Sequence, residues 1–206
     1  GNAAVALGMA AAGIGVYAGY PITPSTSILN ALGTAGPGLG IAVEQAEDEI
    51  AALNLAIGAS YAGARAACGS SGPGLSLMAE AIGLAGITET PVVIYDGQRS
   101  GPSTGMATRT EQGDLLSLVH SSHGEFPRAV ISPATYEDSF YLAAEAFNIA
   151  DAWQVPVFFT NDLGQAGAEC TLEEFDVSRV RIDRGLFAPE PPDPAMLARY
   201  AVTDSG

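Results

Sequence analysis

The sequence predicts an α/β fold built on a doubly wound, mostly parallel sheet of six strands. Short β-branched or apolar runs, such as Pro91-Val-Val-Ile-Tyr95, alternate along the chain with longer helical patterns. That alternation is typical of parallel strands covered by helices on both faces. The 206 residues are 48% hydrophobic, which is enough for one full core. Ligand sites in such folds lie beyond the carboxyl ends of the strands, so the loops there are expected to hold the functional residues.

Each element follows from its local pattern. Strands are predicted in the short apolar runs near residues 15–18, 41–43, 65–68, 91–95, 128–131 and 155–160. Helices are predicted in the longer stretches near residues 3–12, 25–32, 47–61, 75–86, 111–119 and 136–151. Residues 1–168 form the predicted domain. Residues 169–206 include a charged run and the proline-rich segment 189–194, and are expected to be an extension or linker towards a second domain.

The first 43 residues carry no charged side chain, and the apolar stretch 3–20 is long enough to raise the question of a membrane span. The stretch is rich in alanine and glycine rather than leucine, and no lysine or arginine flanks it. We therefore interpret it as a buried helix followed by a strand.

The charged residues exclude several classes of function. All eight basic residues are arginine, against 23 acidic residues, so the formal net charge is −15. Without lysine the chain cannot form a Schiff base or a Walker-type phosphate loop, and so acidic a chain is not expected to bind nucleic acid. Cys68 and Cys170 are too far apart in sequence for a disulfide framework and are expected to be free thiols in the reducing cytoplasm. His120 and His123 lack the partners of a metal site and are expected to close a loop, so no metal is predicted on this chain.

The loop after the third predicted strand is Gly69-Ser-Ser-Gly-Pro-Gly74. Serine before Gly-Pro-Gly predicts a helix N-cap, a proline in the first turn, and bare backbone that a flat or anionic ligand could approach. A tight strand-to-helix turn explains the same residues equally simply. The spacing is not that of a dinucleotide-binding loop.

Four acidic residues follow the second predicted strand: Glu44, Glu47, Asp48 and Glu49. Glu47 and Asp48 are expected in the first helical turn, where negative charge favours the helix dipole. Glu49 differs because the helix after it is almost wholly small or apolar. A carboxylate that heads a buried helix is partly removed from water, and desolvation favours its protonated form. Both a structural role and a proton-sharing role remain open for Glu49.

The loop after the fourth predicted strand holds Arg99 and Arg109 among glycine, serine and threonine. Two of so few arginines in a strand-end loop suit the grip of a carboxylate, although pairing with surface acids would also explain them. Thr23 stands between prolines in Pro-Ile-Thr-Pro and is either a turn former or a ligand contact.

Taken together, the motifs resemble the α-subunit of 2-oxoacid:ferredoxin oxidoreductases, and of the 2-oxoglutarate type most of all. The matching segments are Gly19-Tyr-Pro-Ile-Thr-Pro-Ser25, Glu47-Asp-Glu-Ile-Ala51, Ser71-Gly-Pro-Gly74, Gln98-Arg-Ser-Gly-Pro-Ser-Thr-Gly105, Thr110-Glu-Gln-Gly-Asp114 and His123-Gly-Glu-Phe-Pro127. They run in the same order up to about residue 162. The chain is also similar, more distantly, to the pyrimidine-binding domain of thiamine-diphosphate enzymes in general.

The resemblance implies a role for individual residues. A glutamate at the position of Glu49 hydrogen-bonds the aminopyrimidine ring of thiamine diphosphate and is the catalytic residue. Thr23 and Arg99 occupy the positions that hold the substrate, with Arg109 as a weaker second candidate. The residues expected to contact the cofactor are Tyr20, Pro21, Glu49, Ser71, Gly72 and Pro73.

The resemblance also implies a partner. The sequence has no Gly-Asp-Gly motif for Mg²⁺, since Asp96-Gly97 stands in another context, and no Cys-x-x-Cys for a cluster. A β subunit is therefore expected to bring the diphosphate site, Mg²⁺ and [4Fe-4S] clusters, with ferredoxin and coenzyme A as further partners. Two alternatives stay open: the pyrimidine domain of a non-oxidative thiamine-diphosphate enzyme, and a non-catalytic assembly domain.

Overall fold

Six strands form one sheet in the computed structural model, which describes residues 1–186, 199–202 and 204. The strands are β1 (Val16–Gly19), β2 (Ala42–Gln45), β3 (Ala66–Ser70), β4 (Val92–Gln98), β5 (Ala129–Ile131) and β6 (Pro156–Asp162). Their order is β2-β1-β3-β4-β6-β5, and every adjacent pair is parallel. The parallel six-stranded sheet confirms the predicted fold class.

Helices cover both faces of the sheet. They are α1 (Asn2–Ala11), α2 (Thr26–Leu39), α3 (Glu49–Tyr61), α4 (Gly72–Leu77), α5 (Ala79–Ile87), α6 (Leu115–His120), α7 (Tyr136–Trp153) and α8 (Leu163–Gly167), with a 3₁₀ turn at Val177–Arg179. Helices α1, α2 and α7 pack with Tyr17, Tyr95 and Phe159 on one face. Helices α3, α4 and α5 pack with Cys68 and Phe158 on the other. Successive side chains of a strand point to opposite faces, so each strand feeds both cores.

The stretch 3–20 is not a membrane segment in this fold. It forms most of α1 and all of β1, and residues such as Val5, Met9 and Tyr17 are buried in the core. None of the helices in the described part of the chain combines the length and the apolarity that a bilayer crossing needs. The interpretation as a buried helix and a strand is confirmed.

Helix α3 begins two residues later than the sequence predicts. Asp48 is its N-cap, and the side chain accepts a hydrogen bond from the backbone N–H of Ala51 at 2.7 Å. The expectation that Glu47 and Asp48 lie in the first turn is therefore wrong: Glu47 precedes the helix, and Glu49 is the acid of the first turn. The cap decides the boundary because an N-cap residue has extended rather than helical backbone angles.

Three other helices differ from the predicted bounds. Helix α2 continues past residue 32 to Leu39, and Gly40 ends it with a left-handed φ of 73°. The predicted helix 75–86 is two helices, which meet at Met78. The predicted helix 111–119 begins only at Leu115, with Asp114 as its N-cap, and the Gln98 side chain accepts the otherwise free backbone N–H of Asp114 at 3.0 Å.

The predicted extension is tied to the domain where the structure describes it. Arg65, buried at the start of β3, pairs with Asp151 on α7 at 2.9 Å and donates to the backbone carbonyl of Asp183 at 2.7 Å. Arg184 reaches the same Asp151 carboxylate at 2.6 Å. The proline-rich segment 189–194 lies outside the described residues, and the domain boundary at 168 stays a prediction.

Candidate functional site

The candidate site lies where the direction of the sheet order changes. From β1 the chain moves outward to β2, and from β3 it moves the other way to β4. At such a point the loops that leave the carboxyl ends of neighbouring strands separate and form a crevice. The loops after β1, β3 and β4, together with the start of the helix after β2, are the segments in which the sequence predicts functional residues.

A cavity of about 650 Å³ opens at this crevice. Five segments supply its walls: the loop after β1, the start of α3, helix α4, the loop after β4 and the first turn of α6. Its lining consists of Ile22, Glu49, Gly72, Pro73, Gly74, Ser76, Leu77, residues 99–104, Asp114 and Ser117. The structure therefore brings Glu49, Arg99 and the Gly-Pro-Gly turn together, although they lie far apart in sequence.

Glu49 is buried, at 8% exposed, and it lines the cavity. Its carboxylate accepts no hydrogen bond from any residue that the structure describes. The neighbouring Asp48, and not Glu49, caps the start of α3. Gly74 lies directly against it: a Cβ on Gly74 would be 2.8 Å from Glu49 Cγ and 3.0 Å from Oε1. A carboxylate in this position is free to hydrogen-bond a ligand in the cavity.

The turn before α4 presents bare backbone to the cavity. Ser71 takes the predicted N-cap position in an extended conformation, and Pro73 lies in the first turn. The Ser71 hydroxyl makes no cap hydrogen bond and is buried without a partner in the described structure. Gly72 faces the Asp114 carboxylate, whose Oδ2 would be 2.7 Å from a Cβ at that position. A side chain at Gly74 would collide with the Ser70 hydroxyl and Glu49 Cγ, so glycine is favoured there, whereas a side chain at Gly72 would require the Asp114 carboxylate to move.

Arg99 joins two loops of the site. It donates from Nη1 to the backbone carbonyl of Thr23 and from Nη2 to that of Thr104, each at 2.8 Å. The Nε–H has no acceptor among the described residues, and the residue is only 5% exposed. Because a guanidinium has five N–H groups, Arg99 can hold both loops and still bind an anion from the cavity.

Asn2, for which the sequence predicts no role, fixes the loop after β1 by hydrogen bonds. Asn2 donates from Nδ2 to the carbonyl of Pro24 and to the hydroxyl of Ser27, both at 2.8 Å, and accepts from the Tyr95 hydroxyl. In this loop Ile22 lines the cavity, whereas Tyr20, Pro21 and Thr23 are exposed and do not belong to the lining.

Arg109 is not brought into the cavity. Its backbone accepts from the N–H of Ser100 at 2.9 Å, so it helps to fold the loop after β4, but its side chain is exposed and outside the lining.

The histidines and cysteines also lie outside the cavity lining. His120 is the last residue of α6, with His123 shortly after it. Both cysteines are free thiols, as the sequence predicts. Burial raises the pKa of the Cys68 thiol to about 12, so Cys68 is a neutral core residue.

Asp96 is the residue at this edge that the sequence interpretation missed. Strand β4 continues to Gln98 instead of ending at Tyr95, so Asp96 is a fully buried strand residue and not part of a loop. Its Oδ2 accepts from the Thr160 hydroxyl at 2.9 Å, while Oδ1 has no partner in the described structure. Burial, with a smaller contribution from the charge of Asp114, raises the pKa of Asp96 to about 8. An acid directly after the apolar run Val92-Val-Ile-Tyr95 is the sequence signal that could have identified it.

The chain matches the family described as pyruvate flavodoxin/ferredoxin oxidoreductase, thiamine diphosphate-binding, over residues 7–196. It is 47% identical over 162 residues to the 2-oxoglutarate synthase subunit KorA of Archaeoglobus fulgidus. The aligned region covers 79% of this chain and 47% of that protein. It is 42% identical to the α subunit of 2-oxoacid:ferredoxin oxidoreductase 2 from Aeropyrum pernix, with 100% of this chain and 34% of that protein covered. The chain thus spans between a third and a half of the length of these two relatives.

A solved structure is similar over most of the chain. The 2-oxoglutarate:ferredoxin oxidoreductase from Magnetococcus marinus, with 2-oxoglutarate, coenzyme A and succinyl-CoA bound, superposes with a TM-score of 0.87 at 38% sequence identity. The match covers 89% of this chain and 32% of that one. These similarities confirm the resemblance that the motifs indicate, and none of them favours either alternative function.

Proposed function

Because the chain belongs to the pyruvate flavodoxin/ferredoxin oxidoreductase family of thiamine diphosphate-binding domains, we propose that it forms the pyrimidine-binding half of the active site of a 2-oxoacid:ferredoxin oxidoreductase. The complete enzyme decarboxylates a 2-oxoacid oxidatively, transfers the acyl group to coenzyme A and passes two electrons to ferredoxin. The observation that carries the proposal is the buried Glu49 carboxylate, which lines the cavity without a protein partner.

The residues of the cavity fit the pyrimidine end of thiamine diphosphate. Gly72 and Gly74 line the cavity and give the ring a surface without side chains. Ser71, whose buried hydroxyl has no partner in the described structure, directly precedes them. We assign cofactor contacts to Ser71, Gly72 and Pro73 in the turn and to Tyr20 and Pro21 in the loop after β1. When bound, thiamine diphosphate supplies a carbon nucleophile that attacks the 2-oxo carbon and accepts the electrons released with CO₂.

Glu49 acts on the bound ring. Its carboxylate accepts a hydrogen bond from a ring nitrogen and shares the proton with it, which is the work of a general acid–base group. The apolar helix behind Glu49 keeps water away from that contact, so the shared proton stays between carboxylate and ring.

Arg99 and Thr23 bind the substrate in this proposal. Arg99 is the one cationic side chain among the described residues that line the cavity, and the fixed charge of its guanidinium suits a substrate carboxylate. Thr23 belongs to the loop that Arg99 holds through the Thr23 carbonyl. Arg109 remains a weaker second candidate because its side chain is exposed outside the cavity. Among 2-oxoacids we favour 2-oxoglutarate, which is bound in the similar structure from Magnetococcus marinus.

The other half of the active site is assigned to a partner. A β subunit supplies the diphosphate site, Mg²⁺ and the [4Fe-4S] clusters, and the complete enzyme binds ferredoxin and coenzyme A. The support is that the sequence has two cysteines, 102 positions apart, and no Gly-Asp-Gly motif, whereas the matched family binds thiamine diphosphate.

The test is the activity of the complete enzyme with its β subunit. Ferredoxin reduction is measured with 2-oxoglutarate, pyruvate and a branched-chain 2-oxoacid, each with and without coenzyme A. We expect reduction that requires coenzyme A and is fastest with 2-oxoglutarate. Release of CO₂ without ferredoxin reduction would instead show a non-oxidative thiamine-diphosphate enzyme, and binding of the β subunit with no turnover of any 2-oxoacid would show an assembly domain.

A further inference from the structure

Two side chains bind adjacent carbonyl groups of the loop after β1. Arg99, in the loop after β4, donates to the Thr23 carbonyl at 2.8 Å. Asn2, the first residue of α1, donates to the Pro24 carbonyl, also at 2.8 Å. The loop is therefore held from two different elements of the fold, at two neighbouring peptide groups.

The orientations of these two carbonyls are coupled through Pro24. A peptide group is planar, so neighbouring groups turn relative to each other only about the φ and ψ angles of the residue between them. The residue between the Thr23 and Pro24 carbonyls is Pro24, and its ring fixes φ. Only ψ of Pro24 remains free. Because Asn2 holds the Pro24 carbonyl, it also restricts the direction in which the Thr23 carbonyl faces Arg99.

The Asn2 side chain is buried, at 2% exposed, and all of its polar groups have partners. Its Nδ2 donates to the Pro24 carbonyl and to the Ser27 hydroxyl, each at 2.8 Å, and its Oδ1 accepts from the Tyr95 hydroxyl. A carbonyl oxygen can only accept a hydrogen bond, so the amide nitrogen of Asn2 must face the loop. The chemistry of the partners thus determines the orientation of the amide.

Tyr95 connects Asn2 to the centre of the sheet. It is fully buried on β4, which lies between β3 and β6, and its ring stacks on that of Phe159 with 6.3 Å between the centroids. Strand β4 ends at Gln98, directly before Arg99. The same strand therefore supports the loop after β1 twice, through Tyr95 and Asn2 on one side and through Arg99 on the other.

We propose that Asn2 is a positioning residue for the 2-oxoacid: by binding the Pro24 carbonyl it holds the Thr23 carbonyl against Arg99, and so fixes the guanidinium that binds the substrate carboxylate. This inference rests on the proposed function, which makes Arg99 the substrate-binding cation. Without Asn2, fewer molecules hold Arg99 in the binding orientation, and the apparent affinity for the substrate falls by the same fraction. Asn2 contacts neither Glu49 nor the 71–74 turn, so the effect is on substrate binding.

The first measurement is the steady-state kinetics of the complete enzyme with Asn2→Leu. Leucine has nearly the same shape as asparagine and adds no charge that could repel an anionic substrate, but it removes all three hydrogen bonds. We expect KM for the 2-oxoacid to rise about tenfold, which corresponds to about 1.4 kcal/mol, the free energy of one hydrogen bond. The value of kcat and the affinity for thiamine diphosphate should change little.

The matched control is Asn30→Leu, the same change at an exposed asparagine on α2. It should keep the wild-type KM. An unchanged KM in Asn2→Leu, or an equal rise in Asn30→Leu, would overturn the proposal.

The second measurement separates positioning from stability. Asn2→Leu leaves the buried Tyr95 hydroxyl without its acceptor, which also destabilises the fold. Adding Tyr95→Phe removes that hydroxyl, and replacing both partners of a buried hydrogen bond by apolar groups is nearly neutral. The double variant should therefore regain most of the urea midpoint that Asn2→Leu loses, yet keep the raised KM, because the Pro24 carbonyl still lacks its donor. A KM that returns to the wild-type value together with the stability would overturn the proposal.

The third measurement does not depend on turnover. Hydrogen exchange of the complete enzyme without substrate, measured by mass spectrometry, reports how well each loop is ordered. In the double variant we expect faster exchange in residues 20–28 and 99–104 and wild-type exchange in α3, with no change in Asn30→Leu. Unaltered exchange in both loops would overturn the proposal. Faster exchange there in an enzyme that turns over no 2-oxoacid would overturn the proposed function and leave the hold of Asn2 on the loop standing.

Discussion

Arg99 donates from Nη1 to the backbone carbonyl of Thr23 at 2.8 Å, and this contact joins the loop after β4 to the loop after β1. The second contact, from Nη2 to Thr104, fixes the guanidinium relative to its own loop. The sequence suggests Arg99 and Thr23 as two separate candidates for ligand binding. The structure shows that they are in direct contact, through the Thr23 carbonyl. A guanidinium held in this way has a fixed orientation before any ligand binds.

Arg99→Lys should weaken substrate binding. Lysine keeps the charge but cannot donate to two carbonyls and an anion in the fixed geometry of a guanidinium. Loss of one charged hydrogen bond costs about 1.5–3 kcal/mol, so we expect KM for the 2-oxoacid to rise about 10- to 100-fold with little change in thiamine diphosphate affinity. Steady-state kinetics and cofactor titration check this. Arg109→Lys is the comparison, and a larger KM effect there would transfer the assignment to Arg109.

Glu49→Gln should remove catalysis while leaving the fold intact. Glutamine has the same shape but cannot take up the ring proton, so we expect kcat to fall about 10²- to 10⁴-fold. Asp48→Asn is the matched control, because asparagine also caps a helix and the Asp48 side chain only caps α3. Single-turnover decarboxylation measures both variants in the complete enzyme. A Glu49→Gln enzyme with wild-type kcat would refute the assignment.

Gly74→Ala should disturb Glu49 through packing alone. The new Cβ would collide with the Ser70 hydroxyl and lie 2.8 Å from Glu49 Cγ, so we expect a loss of about 1–3 kcal/mol of stability together with a lower kcat. Gly58→Ala in α3 is the control, since nothing lies within 4 Å of that position; it should stabilise the chain by about 0.5–1 kcal/mol. Urea denaturation and kinetics distinguish the two. Equal effects of both changes would exclude the packing argument.

The fold could be predicted because the local residue pattern of each strand is sufficient to indicate it. Runs such as Val92-Val-Ile-Tyr95 are short, apolar and bounded by turn residues, and all six predicted strands are present. The ends of the elements were less predictable because side chains elsewhere decide them. Asp114, the N-cap of α6, donates its backbone N–H to the Gln98 side chain, which is 16 residues away in sequence.

The candidate site could be predicted only in part, for the same reason. Glu49 is visible in the sequence because it is the last of four acidic residues and an almost wholly apolar helix follows it, and the cavity shows that it lies beside the Gly-Pro-Gly turn. Asn2 gives no such signal, since its partner Pro24 is 22 residues away. Asp96 does follow an apolar run, but its burial and its contact with Thr160, 64 residues away, depend on the assembled sheet. Such contacts form only when the strands have assembled in the order of the folded sheet.

Asp96 should also make the stability of the fold depend on pH. Its pKa is about 8 in the folded chain against an ordinary value of 3.8. Between these two pH values the folded chain holds a proton that the unfolded chain has released, so the free energy of unfolding must fall as pH rises, by up to about 1.4 kcal/mol per pH unit. The full contribution is present below the unfolded pKa and is lost by the time the pH has passed the folded pKa.

Asp96→Asn removes the titration, so the variant should be more stable than wild type at about pH 7.5, with a difference that shrinks steadily towards about pH 4. Urea denaturation of both proteins across this range measures the difference directly, and two parallel stability curves would show that Asp96 is ionised in the folded chain.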